Sequence, residues 1–341
     1  MISIDQSIVQ KQVVEALMKP EAYDEEQSQA ELIQTHISFI FLTREFVYKV
    51  KKAVNLGFLD FTTLEKRRFF CEKELVLNRR LCEGMYLEVV PINSSSVIKI
   101  KGEGKIVEYA VKMKRMPQEK MMNKLLEEGK VHNRLISRIA KIIAEFHSEA
   151  ETNRGISEFG SLAMIGVNWK ENFEQTCKFI GKAISMRNFE LIRKRIGDFM
   201  KRNASSFENR AKKGRVRDCH GDIHSGNIFV ADRIYIFDAI EFNERFRYSD
   251  VASDIAFLAM DLDFKGRTDL SDFFVKKYVE YSGDRESTKL LPFYKCYRAY
   301  VRGKVASFKS EDPAVGSKEK IVATTEARAY FKLASTYAKI L

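Results

Sequence analysis

The chain has 341 residues, 45% hydrophobic and 31% charged, an ordinary soluble balance in a polypeptide long enough to bury a sizeable core. No apolar run is long enough to cross a bilayer, and the opening MISIDQSIVQ lacks the basic-then-apolar order of a secretory signal, so a cytoplasmic protein without membrane contact is expected. The formal charge of +11 suits a polyanion such as a nucleotide; no motif joining aromatic to basic residues accompanies it, and nucleic acid is not expected as a partner. Cys71, Cys82, Cys177, Cys219 and Cys296 include no C-x-x-C pair, which argues against a disulfide framework and a thiolate metal site.

Residues 7–18 carry Ile8, Val9, Val13, Val14 and Leu17 at helical spacing, ending before Pro20, and the acidic, Gln-rich residues 21–31 read as a surface connection. Two strands follow, 37–41 and 45–51, joined at 42–44; in the second, Lys49 and Lys51 share the face of Val47. Thr63 can cap, and Glu65 open, a helix over 66–81 with Phe69, Phe70, Leu75 and Leu77 available for packing. Residues 86–91, 97–101 and 105–113 are strand-like, with Gly102-Glu103-Gly104 predicting a tight hairpin between the last two. From 118 onward the pattern is mostly helical, with a broad apolar face over 134–147. The interruption is a β-rich island at 219–242, where 228–230 and 234–237 read as a hairpin turning at 231–233. No internal repeat is visible, so the expectation is an N-lobe of 1–114 and a C-lobe of 115–341.

The island carries the chemistry. In His220-Gly221-Asp222-Ile223-His224-Ser225-Gly226-Asn227, an Asp and an Asn separated by four residues follow a His, the spacing of a kinase catalytic loop. There the aspartate accepts the proton of the substrate hydroxyl and the asparagine oxygen binds magnesium. Eleven residues beyond Asn227, an apolar strand ends in Asp238, the arrangement that brings a carboxylate to a magnesium between two phosphates.

These segments, together with FVYKVKKAVNLGFLDFTTLEKRRFFCEKELVLNRRL and FDAIEFNERFRYSDVASDIAFLAMDLD, resemble the aminoglycoside phosphotransferase and choline-kinase-like superfamily across nearly the whole chain. The resemblance implies an α+β, two-lobed protein-kinase-like fold with a small β-rich N-lobe and a larger helical C-lobe. It also implies Asp222 as catalytic base, Asn227 and Asp238 as magnesium ligands, Lys49 as the phosphate-binding lysine and Glu74 as its ion-pair partner. Lys51 shares the face of Lys49 and Glu72 lies near Glu74, which leaves a register shift open. Met113 and Arg115, beside the lobe boundary, complete the expected nucleotide-binding set, and Asp254 resembles an aspartate that steadies the catalytic loop.

Three features depart from protein kinases. Thr35-His36-Ile37-Ser38 stands where a glycine-rich loop would be, Asp238 is followed by Ala239-Ile240 instead of Phe-Gly, and no activation segment follows. A small hydroxylated acceptor is therefore favoured over a protein. The cofactors expected are Mg2+ and ATP, with GTP open; a catalytically weak nucleotide-binding protein and a protein kinase are the alternatives. The oligomeric state and the acceptor are not encoded in any readable motif.

The remaining polar residues have plainer readings. His220 serves the loop backbone, His224 is not a metal ligand because an i,i+4 pair needs a helix, and His147 is a core histidine with its hydrogen bonds met. Asp250 caps a helix, Glu241 is read as a solvated acid in preference to a ligand of a second metal, and Arg298, Arg302 and Lys304 as the cover of a helix face in preference to a site for an anionic acceptor. Specificity for the acceptor is expected from the helical insert at 168–181 and the C-terminal helices.

Overall fold

The structure is a computed structural model describing residues 4–23, 29–313 and 315–341; the middle of the expected connection at 21–31 lies outside the described residues. The chain forms two compact units, Met1–Lys124 with Asn227–Glu244, and Leu125–Gly226 with Arg245–Leu341. This division differs from the expected 1–114 and 115–341: the first unit runs ten residues further and takes in the downstream hairpin.

The first unit is built on a six-stranded antiparallel sheet of β1 (Glu31–Gln34), β2 (Ser38–Leu42), β3 (Phe46–Lys51), β4 (Tyr86–Ser94), β5 (Ile98–Ile100) and β6 (Lys105–Lys114), in the order β1-β2-β3-β6-β4-β5. Side chains alternate across β3. Tyr48 and Val50 join a core with Val13 and Leu17 of the helix Ile4–Leu17, while Lys49 and Lys51 both reach Glu74 of the helix Leu64–Arg79. That second helix begins as expected, with the Thr63 hydroxyl accepting from the Lys66 amide. Its buried positions are in part those expected. Of the expected packing residues, Leu77 is buried, Leu75 packs on an apolar cluster and Phe70 lies against Phe61, while Phe69 is 55% exposed; Arg67, Cys71, Glu74 and Asn78 also face inward, so the helix is held by polar as well as apolar contacts.

The glycine hairpin is also corrected. β5 and β6 do not pair; both pair with β4, on opposite sides. The segment between them has to pass the end of β4, and Gly104 makes that possible: its φ is +91°, and a Cβ there would collide with the Ser94 carbonyl. The downstream hairpin, Ile228–Val230 with Ile234–Ile236, forms as expected, and its Phe229 and Tyr235 join Cys71, Cys82, Tyr86 and Met113 in one apolar cluster.

The second unit is mainly helical. Asn133–Glu149 packs on Thr268–Ser282, and Ser287–Glu311 packs on both Val251–Phe264 and Ser317–Lys339. The unit also contains an antiparallel pair of three-residue strands, Val216–Asp218 and Tyr248–Asp250. Arg210 locks the end of that pair: its guanidinium donates to both oxygens of Asp250 at 2.6 and 2.7 Å and to both of Asp284 at 2.8 Å. Asp250 caps Val251–Phe264 through the Ala252 amide, as its position before the helix predicts. Among the described residues, no helix is long and apolar enough to cross a membrane.

Gly104→Ala should lower the stability of the protein by about 1–3 kcal/mol, because the left-handed conformation and the contact with Ser94 both oppose a side chain. Urea denaturation followed by circular dichroism measures the shift.

Candidate active site

In the first unit a chain of charges runs from β3 to the downstream hairpin. Lys49 Nζ donates to Glu74 Oε1 at 2.8 Å and to Asp238 Oδ1 at 2.7 Å; Lys51 Nζ donates to Glu74 Oε2 at 2.7 Å and to Glu241. Glu74 thus holds one lysine with each oxygen, because residues two apart on a strand project to the same side. Glu72, the alternative partner, is exposed and pairs with Arg68 on its own helix. Lys51 is fully enclosed and lies 4.9 Å from the centre of the Phe61 ring. Glu241 is 3% exposed, which overturns its reading as a solvated acid. Lone carboxylates are not buried at such cost; this one has Lys51.

Burial works against each of these charges, and the partners decide the outcome. For Glu74, burial alone would raise the pKa, but Lys49 and Lys51 pull it down to about 2. The Lys49 ammonium is likewise opposed by burial and held well above the ordinary lysine range by Asp238 and Glu74. Glu241 moves the other way, with burial raising it further than Lys51 lowers it.

Asn227 and Asp238 are brought together by hairpin register. The Phe237 amide donates to the Asn227 carbonyl at 3.0 Å, so Asp238 follows directly on the residue opposite Asn227. Asp238 has φ +66°, a left-handed conformation that aspartate tolerates better than most side chains. The next amide, Ala239 N, donates to Asn78 Oδ1 at 2.9 Å, and Asn78 Nδ2 donates to the Glu74 carbonyl at 2.9 Å. One helix therefore supplies both the lysines' counterion and the bracket for the Asp238 turn. Two oxygen donors, a carboxylate and an amide carbonyl, fit a hard divalent cation such as magnesium. Of the expected nucleotide set, Met113 lies in the apolar cluster, and Arg115 donates to the Thr43 carbonyl at 2.6 Å, fastening the β2–β3 turn.

In the second unit the loop from His220 to Gly226 is pinned through its backbone. Asp254 accepts from His220 N at 3.0 Å and Gly221 N at 2.9 Å, and Asp261, two turns further along the same helix, accepts from Ser225 N at 2.9 Å. Arg298 Nη1 donates to the Gly221 carbonyl at 2.8 Å and its Nε to the Ser253 carbonyl at 3.0 Å. Arg298 is 5% exposed and braces the loop instead of covering a helix. His220 accepts from the Asp222 amide at 3.2 Å, and His147 bonds Asp254 at 3.1 Å and the Tyr278 hydroxyl at 2.8 Å, both as expected. Burial opposes the charge of Asp254 and His147 restores it, leaving the carboxyl below its usual range.

Asp222 projects from this frame half-buried, with His224 Nε2 3.5 Å from its carboxylate. Burial would raise its pKa, but His224, Arg302 and His220 bring it down to about 2, so it is ionised at neutral pH. Lys304, read as a helix cover, instead donates to Asn172 Oδ1 at 2.6 Å and Gln175 Oε1 at 2.8 Å, and burial lowers its pKa to about 8. Asn172 and Gln175 belong to the helical insert.

The fold is similar to the crystal structure of a choline/ethanolamine kinase family protein from Mesorhizobium loti, with a TM-score of 0.51 at 10% identity over 98% of this chain and all of that one. The chain shares that protein's kinase-like fold. By sequence it is 33% identical over 273 residues, 80% of its length, to an uncharacterised protein of Mycobacterium tuberculosis and equally to one of Mycobacterium bovis. It spans about half, 53%, of the length of these relatives. No family model matches the sequence.

Replacing Glu74 by Gln leaves two buried ammoniums short of a counterion and should cost about 3–5 kcal/mol. The sign with pH is specific. Because the folded pKa of about 2 lies below the ordinary 4.5, the stabilisation is complete above about 4.5 and is lost as pH falls through 2. Denaturation curves across that window should slope for the wild type by an amount that Glu74→Gln removes.

Proposed function

We propose that the protein is a phosphotransferase that moves the γ-phosphoryl group of ATP to a hydroxyl of a small molecule, with magnesium. The observation that supports it most is Lys49, 2.8 Å from a helix glutamate and 2.7 Å from the aspartate that closes the hairpin, the three groups a kinase uses to hold a metal–nucleotide complex. The likeness of fold to a choline/ethanolamine kinase family protein agrees with it.

Each residue has a separate task. Lys49, released from Asp238, binds nucleotide phosphates and is kept in place by Glu74. Asn227 and Asp238 hold magnesium, which when bound neutralises charge on the phosphates. Asp222 accepts the proton of the acceptor hydroxyl as that oxygen bonds to the γ-phosphorus; the bond to the bridging oxygen breaks and the nucleoside diphosphate leaves. The loop amides held by Asp254 and Asp261 keep Asp222 from moving, which matters because this chemistry depends chiefly on positioning. Lys51 is enclosed between two acids, and the phosphate role falls to Lys49.

A metabolite pool incubated with magnesium and ATP, or GTP in a parallel arm, should yield a phosphorylated small molecule. With that acceptor, Asp222→Ala should lower kcat by about 10²–10⁴-fold and leave the nucleotide Kd unchanged. Asp238→Ala should abolish the tightening of nucleotide binding by magnesium in calorimetry. If Asp222→Ala transfers phosphate at the wild-type rate, the assignment of the base is wrong.

A further inference from the structure

Apart from the buried Arg67–Glu108 pair, which is balanced in itself, the enclosed charges of the first unit balance without Asp238. Lys49 and Lys51 carry two positive charges, Glu74 and Glu241 two negative ones, and side-chain exposure is 11% for Lys49, 0% for Lys51 and Glu74, and 4% for Glu241. Asp238 is the fifth member and differs from the rest. Its side chain is 44% exposed, and its carboxylate meets Lys49, which Glu74 already neutralises. A single lysine with a single glutamate would be balanced too. What needs explanation is the second pair, placed out of reach of solvent behind the first.

We infer that Lys51 and Glu241 form a charge-balancing pair whose function is to leave the Asp238 carboxylate surplus, and so available to a divalent cation. Without Glu241 the enclosed cluster would carry one unmatched positive charge, since Glu74 alone faces two ammoniums. Asp238, three residues away and already 2.7 Å from Lys49, is the anion in reach, and it would become a fixed counterion. Handing it to a metal would then uncover a buried charge. With Glu241 in place, Asp238 can leave Lys49 without unbalancing the interior. The Phe61 ring against Lys51 and the hydrogen bond from Ala239 N to Asn78 keep the pair and the turn where they are while the carboxylate exchanges.

This inference rests on the phosphotransferase reading for the identity of the cation, but its electrostatic core can be tested without nucleotide. In thermal melts, Asp238→Asn should change the midpoint little, Glu241→Gln should lower it strongly, and the double variant Lys51→Met with Glu241→Gln, neutral again, should recover most of the loss. In calorimetry with ADP, Glu241→Gln should cut the magnesium-induced gain in affinity at least tenfold, and the double variant should restore it to within about threefold of wild type. Failure of Glu241→Gln to fold while the double variant folds carries the same meaning as the strong destabilisation. The inference is overturned if the double variant is no better than Glu241→Gln, or if Glu241→Gln keeps the full magnesium gain. A wild-type protein that binds no magnesium–ADP would sink the cation assignment and the phosphotransferase reading together, with the melts still deciding the charge balance.

Discussion

Glu74 is bonded to two lysines at once, and much of the first unit is arranged around keeping it that way. Its position follows from a helix whose inward face is Arg67, Cys71, Glu74 and Asn78, and the lysines' from strand alternation in β3. An ionised carboxylate in such a place is tolerable only with every partner present. The sheet, the helix and the downstream turn are therefore tied to one another by charge as well as by the apolar cluster around Tyr86 and Met113.

The second unit solves a similar problem with different means. A loop that presents one half-buried carboxylate is immobilised through its peptide groups, not its side chains. Asp254 and Asp261 take amide hydrogens, and Arg298 takes a carbonyl. The helix Val251–Phe264 can bury two acids because their oxygens are met by backbone donors, and Asp254 by His147 as well. The rigid scaffold on either side of Asp222 fixes the backbone from which its carboxylate projects.

Much of this was legible in the residues. The order His220, Asp222, Asn227, Asp238 is local along the chain, and local spacing is what a sequence displays directly. The downstream hairpin and the cap at Thr63 were legible for the same reason. Other features were hidden. Asn78, Asp261 and the buried Arg298 act on backbone groups far away in sequence, and nothing in their neighbours distinguishes them from surface polar residues. Glu241 sits in FDAIEFN without apolar periodicity to mark it as enclosed. The expected pairing of β5 with β6 failed because a glycine-rich turn signals a tight bend but not which strand lies beside which. Strands of three residues, such as Val216–Asp218, are too short for alternation to show.

The first unit is discontinuous: residues up to 124 need the segment 227–244 to complete them. During synthesis at about 5–20 residues per second, Lys51 and Glu74 leave the ribosome on the order of ten seconds before Glu241. Through that interval the emerged residues include both lysines of the cluster but only one of its acids, Glu74, and lack Phe229 and Tyr235 of the apolar cluster. The amino-terminal portion alone is accordingly an unfinished body with an excess of positive charge at its centre. Truncations that stop short of residue 229 remove the very groups that make its interior tolerable, so any dissection of this protein has to carry the two portions together or supply the missing hairpin in trans.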